Sequence, residues 1–490
     1  MPNPHPVLPT PRPATRRVVR LAAAVALAAA AGGCTLLRTV WYGQPDARDM
    51  RMFPTRVMHA SPTPFRFARA ENQRTDLDTV SVRDPGSARL IPLSRYLANI
   101  RAHAFLVIRN DTIVYERYAL GHDSARVSNS FSMAKSALSA LVGIALARGE
   151  IRSLDDSVGA YVVGLRGRAY GSVTIRQLLG MRSGTAWSDA RGNFVQQAFS
   201  TDARIFYTPD LRGLLRGVRR EEPAGARWRY KDTDAEVLGW VLAAATHRTV
   251  AEYMEEELWQ PIGAEFDAHW LLDHRGGQEK TSTGWNATAR DFAKLGRLYL
   301  QGGRWEGRQV VPAEWVAASV GFDASRAAPE VVTWWGMQHT LYWWHPMLPP
   351  TGDFYADGSL GQRIYVQPGT RTIIVQLANS NAQDFPFRRI AAAVNDTAWR
   401  YPRSIPALVL QAHATGGIDS ARAVFRSSTA AMDQHPGSYT LWPQSLHAVA
   451  EQIAEQGRAD DAAEVLRWCR ERFPAEPSCT APLPTAGRKR

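Results

Sequence analysis

The chain has 490 residues, a formal charge of +12, 45% hydrophobic residues and 21% charged residues. That length exceeds one small domain, and the balance is that of a soluble globular protein able to bury a sizeable core. Its basic residues form no run interleaved with aromatics, so composition gives no support for a nucleic-acid surface.

Residues 1–33 carry Arg12, Arg16, Arg17 and Arg20 with no acid, and the apolar stretch Leu21 to Ala31 follows. Eleven apolar residues are too few to span a bilayer, so the segment is expected to be a signal peptide. Gly32-Gly33-Cys34 resembles a bacterial lipoprotein cleavage site. Cys34 is therefore expected to carry lipid and to anchor a periplasmic protein to the membrane; the other reading is an ordinary signal peptide with a chance Cys. Residues 34–94, rich in Arg, Pro and Asp, read as a tether and N-terminal wrap.

From Ala104 the pattern predicts strands. Phe105-Leu106-Val107-Ile108 and Ile113-Val114-Tyr115 flank Asn110-Asp111, a hairpin signal. Met133 to Ala147 predicts a buried helix, with Gly149 as its C-cap. Further helices are expected at Val173–Leu179, Ala235–Ala245, Thr249–Leu258 and Ala287–Gln301. A second hairpin, Arg363–Val366 and Thr372–Leu377, turns at Pro368-Gly369, and a helix over Phe387–Trp399 follows. Strands at both ends with helices between predict an α/β domain over residues 95–402. Its antiparallel sheet would be flanked by helices, with a helical subdomain inserted.

Residues 403–490 predict helices alone, with a ragged repeat resembling tetratricopeptide hairpins. A helical appendage packed on the main domain, or a module for a protein partner, both fit. Cys469 and Cys479 lie ten positions apart; a disulfide and two free thiols both remain open.

The chemistry centres on Ser132-Met133-Ala134-Lys135, an S-x-x-K motif opening the apolar helix. Of the 58 Lys+Arg residues only five are Lys: Lys135, Lys231, Lys280, Lys294 and Lys489. Arg stays protonated, whereas Lys can release its proton when desolvated, so a Lys one turn from a Ser points to proton transfer. A capping Ser with a solvated Lys is the bland alternative. No Cys/His cluster has metal-ligand spacing, and H-E-x-x-H, G-x-x-x-x-G-K-[ST] and G-x-S-x-G are absent. No metal or cofactor is expected.

Three patches follow in order: Ser132/Lys135, Tyr230-Lys231-Asp232 and Ala356-Asp357-Gly358-Ser359. With Val173–Leu179, Ser183-Gly184, Leu258–Gly263 and Asn286–Phe292, they make the chain resemble the serine β-lactamase and penicillin-binding-protein family. The resemblance is to its class C-like branch of esterases, D-aminopeptidases and 6-aminohexanoate-dimer hydrolase-like proteins. It implies a serine hydrolase that forms an acyl-enzyme on a small ester or amide. Ser132 would be the nucleophile, with Lys135 and Tyr230 sharing the proton. The backbone N–H groups of Ser132 and Ser359 would form the oxyanion hole. Burial and a neighbouring cation are expected to lower the pKa of Lys135, and Gly358 to let substrate backbone approach.

Two positions depart from the family. Ala356 replaces the usual Lys or His that binds a substrate carboxylate, with Arg363 as a candidate substitute. Asp232 replaces the usual Asn or Ser. It is a candidate to pair with Lys135, to receive a cationic substrate group, or to cap the helix near Ala235. Trp334-Trp335 and Tyr342-Trp343-Trp344 are candidates for core packing or for a substrate wall. A β-lactamase or D,D-peptidase is the nearest rival reading, and a non-catalytic periplasmic scaffold the rival from another class.

Overall fold

A computed structural model describes residues 49–84, 89–188, 200–321, 337–346, 351–380, 386–399, 402–435 and 437–474, with 476, 479 and 480. The expected signal peptide, Cys34 and Trp334-Trp335 lie outside the described residues.

The elements that place the site follow in chain order. They begin with β1 (Thr55–Met58), β2 (Ala68–Arg69), α1 (Leu93–Asn99), β3 (Ala104–Arg109), β4 (Thr112–Tyr118), β5 (Ser128–Asn129) and α2 (Met133–Ala147). Next come α3 (Ile175–Leu179), α4 (Asp232–Thr246), α5 (Val250–Met254), β6 (Ala268–Leu271), β7 (Trp285–Ala287) and α6 (Ala289–Leu300). The domain closes with β8 (Met337–Thr340), β9 (Trp343–Pro346), β10 (Phe354–Gly358), β11 (Gln362–Gln367), β12 (Thr372–Leu377) and α7 (Phe387–Val394).

One eight-stranded sheet runs β8-β9-β10-β11-β12-β3-β4-β2 and is antiparallel except where β2 joins β4. Its centre pairs β12 with β3, so segments more than 260 residues apart by sequence close the domain: Leu377 lies opposite Ala104. The β3–β4 hairpin turns on Asn110 and Asp111, both at positive φ (48° and 59°), the backbone of a two-residue primed turn. A smaller sheet, β1-β6-β7-β5, leads the chain from β5 into the turn before Ser132.

The central strands are apolar on both faces because both faces are covered. Leu106 and Ile108 belong to a core with α2, α4 and α6, while Phe105 and Val107 belong to one with α1 and α7. Gly296 lets α6 lie close on the sheet, since a Cβ there would fall 2.9 Å from Ile364. Helix α3 opens on a capping box, with Thr174 accepting from the Gln177 N–H and Gln177 accepting from the Thr174 N–H.

Several boundaries differ from expectation. α7 stops at Val394 because Asp396 turns to positive φ (51°). α5 ends at Met254 in a wider π turn before Pro261. Two helices, Thr201–Tyr207 and Leu211–Gly217, form where no periodicity had marked them, each opened by a capping side chain, Ser200 and Asp210.

The C-terminal residues build helices α8 (Ile405–Gln434), α9 (Pro443–Glu455) and α10 (Ala459–Arg472) around their own apolar core. α8 breaks at Gly416-Gly417, where Gly417 takes a positive φ of 69°. Cys469 and Cys479 form a disulfide, Cα atoms 5.4 Å apart, which resolves the open choice about these thiols. Among the described residues no helix is long and apolar enough to cross a membrane.

Candidate active site

Ser132 is the N-cap residue of α2, half-buried, and its hydroxyl makes no capping bond. The residue before it, Phe131, is held at a φ of 44°, a costly conformation for a bulky side chain. The Phe131 N–H donates to Asn129 Oδ1 at 2.6 Å, which pins that turn. Strand β10 closes on it from the other side. A Cβ on Gly358 would sit 2.2 Å from the Ser130 carbonyl oxygen and 3.3 Å from the Met133 nitrogen. The backbone that Gly358 admits here is the chain's own turn.

One helical turn on, Lys135 is buried and donates to Ser132 Oγ at 2.8 Å, to the Ser282 carbonyl at 3.0 Å and to Asp232 Oδ1 at 2.6 Å. Its ammonium lies 4.9 Å from the Tyr230 ring centroid, so Tyr230 stands beside the Ser132–Lys135 pair. Burial raises the phenol's pKa, and the charge of Lys135 opposes that rise. For Lys135, burial favours the neutral amine, but Asp232 and then Tyr230 outweigh it and hold the pKa above the usual lysine value. The expected neighbouring cation is instead an anion.

Asp232 is the first residue of α4, with Lys231 as the N-cap residue, and it makes no capping bond. The capping expectation therefore fails, because the helix starts three residues earlier than Ala235. Asp232 Oδ1 is engaged by Lys135, the pairing that the sequence offered as one of its alternatives. Arg363 is corrected too. The β10–β11 register sets it opposite Asp357, to which it donates at 2.8 Å, while Ala356 faces Ile364. Neighbouring residues on a strand point to opposite faces, so Arg363 cannot take the place of a cation at Ala356. Ala356 itself is fully buried in the main core.

β9 pairs with β10 through Trp344 and Tyr355, and Ala356–Gly358 continue past that pair toward the Ser132 turn. Ser359 follows them and is exposed. Among the described backbone hydrogen bonds, neither the Ser132 nor the Ser359 N–H donates to a protein acceptor. An aromatic wall borders Tyr230: Trp344 at 5.7 Å and His339 at 5.7 Å between ring centroids, with Trp228 5.9 Å from His339. Trp343 lies elsewhere, against Tyr299 and Phe354 in the core. Burial, then the charge of Lys135, lowers the His339 pKa to about 3, so the ring is neutral.

Sequence reasoning missed Asn129, Ser282 and His339. Ser282 contributes a backbone carbonyl, which no side-chain pattern can mark. His339 reaches the site through β8, far from any motif. Among the described residues no cluster of His, Cys, Asp and Glu could hold a metal ion.

The beta-lactamase family matches residues 93–398. The 6-aminohexanoate-dimer hydrolase of Paenarthrobacter ureafaciens is 26% identical over 310 residues, covering 60% of this chain and 77% of that protein. Among solved structures, a Bacillus anthracis protein described as a candidate 6-aminohexanoate-dimer hydrolase superposes with a TM-score of 0.63 at 24% identity, over 71% of this chain and 92% of its own. A candidate beta-lactamase of Bacteroides dorei DSM 17855 does so with a TM-score of 0.51 at 18% identity, over 62% of this chain and 96% of its own.

Proposed function

This chain belongs to the beta-lactamase family, and on that premise we propose that it cleaves a small ester or amide through an acyl-enzyme on Ser132. One observation carries the reading: the Lys135 ammonium lies 2.8 Å from Ser132 Oγ and 4.9 Å from the centroid of the Tyr230 ring. Ser132 Oγ attacks the substrate carbonyl as its proton passes into the Lys135–Tyr230 pair. That pair then returns a proton to the leaving nitrogen or oxygen, and water releases the acyl group by the reverse relay. The N–H groups of Ser132 and Ser359 stabilise the oxyanion, each contributing about 3 kcal/mol in sites of this kind. The relative named as a 6-aminohexanoate-dimer hydrolase supports an amide among the substrates.

A β-lactamase or D,D-peptidase acting on carboxylated substrates is the weaker reading, because Ala356 offers no cation and Asp232 adds an anion beside the nucleophile. A scaffold whose C-terminal tetratricopeptide-like helices bind a partner would need none of this geometry. A fluorophosphonate probe separates these classes: it labels wild type at Ser132 and leaves Ser132→Ala unlabelled, whereas a scaffold shows no difference. A screen of p-nitrophenyl esters, D-amino-acid amides, linear amide oligomers and nitrocefin then identifies the substrate class. The anchor is a separate proposal. Cys34 carries lipid and holds the enzyme on the periplasmic face of a membrane; Cys34→Ser then yields a soluble periplasmic protein, and continued membrane partitioning refutes it.

A further inference from the structure

We propose that Asp232 keeps Lys135 in its ammonium form, so that turnover waits on loss of one proton from the Ser132–Lys135–Tyr230 cluster and the acid limb of activity lies at alkaline pH. The inference rests on the hydrolase reading above and adds a regulator to it.

Three acceptors surround Lys135 Nζ: Ser132 Oγ at 2.8 Å, the Ser282 carbonyl at 3.0 Å and Asp232 Oδ1 at 2.6 Å. An ammonium has three N–H donors and no lone pair, and here each donor meets one acceptor. A neutral amine would turn its lone pair to the Ser132 hydroxyl, the one partner here able to donate, but the Asp232 carboxylate at 2.6 Å favours the ammonium. In that form Lys135 cannot receive the Ser132 proton.

The groups facing Lys135 come from every element around it. Ser132 comes from the start of α2, Asp232 from the first turn of α4, and Tyr230 from the segment before it. The Ser282 carbonyl comes from the loop before β7, and neutral His339 from β8. Asp232 is the only one of these whose ordinary form at neutral pH is an anion. Lys231, the next cation along the chain, turns away to Ser183 and Thr185. Burial separates this pair from water, with side-chain exposures of 2% for Lys135 and 15% for Asp232, so its attraction is poorly screened.

Activation then balances simply. Hydroxide or buffer base takes one proton from the cluster. The neutral Lys135 amine, or the Tyr230 phenolate in equilibrium with it, accepts the Ser132 proton as the Oγ–carbon bond forms. Replacing Asp232 by Asn removes the only anion and keeps a side chain of the same shape.

The test is the second-order rate of Ser132 labelling by a neutral fluorophosphonate, from about pH 5 to about pH 11, in wild type, Asp232→Asn and Asp232→Glu. An opposite charge at this range moves a pKa by about 1–3 units, so the acid limb of Asp232→Asn should fall by about that much. Asp232→Glu should keep the high limb of wild type. A wild-type rate already level at neutral pH overturns the inference without any variant, as does an Asp232→Asn limb that stays in place. If Asp232→Asn does not fold, the wild-type and Asp232→Glu profiles still decide it. Absence of labelling at every pH, or labelling of Ser132→Ala, breaks the hydrolase reading instead.

Discussion

Lys135 and Lys231 are both buried to 1% exposure and stand on opposite sides of the same five-residue segment, yet their surroundings set their protons in opposite directions. Along Tyr230–Asp234 the side chains divide between two sides. Tyr230 and Asp232 meet Lys135, while Lys231 donates to Ser183 Oγ at 2.7 Å and to the Thr185 carbonyl at 3.1 Å. Ser183 and Tyr170 in turn donate to Asp234 Oδ1 at 2.6 and 2.8 Å. Lys231 thus reaches its carboxylate through a hydroxyl, and desolvation lowers its pKa. Lys135 touches its carboxylate directly, and its pKa rises. The contrast teaches that burial alone does not prepare a lysine as a base; the formal charge of its nearest acceptor decides the sign.

The largest effect that could break the comparison is on catalysis. Lys135→Met should lower kcat by about 10²–10⁴-fold, the usual contribution of a positioned proton carrier, while the domain stays folded. Lys231→Met should cost less activity per folded molecule. Equal losses in both, measured on folded protein, would show that Lys135 holds no special place.

Next comes charge selection at the site. With no cation at Ala356 and an anion at Asp232, wild-type kcat/KM for nitrocefin should be about ten- to a hundredfold below that for a neutral ester, the worth of one absent charge-assisted hydrogen bond. Asp232→Asn should narrow that gap, and Asp234→Asn, whose carboxylate faces the buried hydroxyls, should leave it unchanged. Ala356→Lys should cost stability rather than gain nitrocefin turnover, because that position is filled core. Efficient nitrocefin turnover by wild type would show another cation binding the carboxylate.

Stability should respond in the reverse order. Lys231→Met leaves Ser183 and Thr185 short of a donor and takes the opposing charge from Asp234, and should lower the unfolding free energy in urea by about 1–3 kcal/mol. Lys135→Met should cost less, since Asp232 is partly exposed and can hydrate. An intact Tm for Lys231→Met would remove the structural role of that network.

The smallest effect is a pair of opposite slopes. Lys135 has a raised folded pKa, so its stabilisation is complete below the ordinary lysine value of 10.5 and is lost as pH rises through the folded value. Lys231 has a lowered folded pKa, so the unfolded chain binds its proton more tightly and folding gains as pH rises toward 10.5. The destabilisation caused by Lys231→Met should therefore grow between neutral pH and about 10.5, and that caused by Lys135→Met should shrink only above it. Parallel slopes in urea titrations would contradict the assignment.

Much of the fold was legible because local and global patterns agree. The buried helix over Met133–Ala147 and both hairpins of the main sheet carry strong periodicity and turn residues, and they form within three residues of expectation. The adjacency of Ser132 and Lys135 was legible for the same reason, since three positions on a helix face the same way. The scarcity of lysine proved a different signal from the one first read. Lys135, Lys231, Lys280 and Lys294 are all buried, and three of them serve carbonyls, hydroxyls or carboxylates away from Ser132. A compact ammonium fits such small polar pockets where the broader guanidinium would not.

By itself the sequence determined which chemistry is possible here: a serine beside a lysine on a helix, a tyrosine in the next motif and a strand motif without a cation. Those are matters of local spacing and residue type. Only the tertiary structure decided which partner each charge meets. That Asp232 faces Lys135 and that Gly358 admits the Ser130–Met133 turn depend on contacts between segments far apart in sequence, and that Arg363 turns to Asp357 depends on strand register. Such contacts set protonation because electrostatic energy falls with distance in space, to which separation along the chain is no guide.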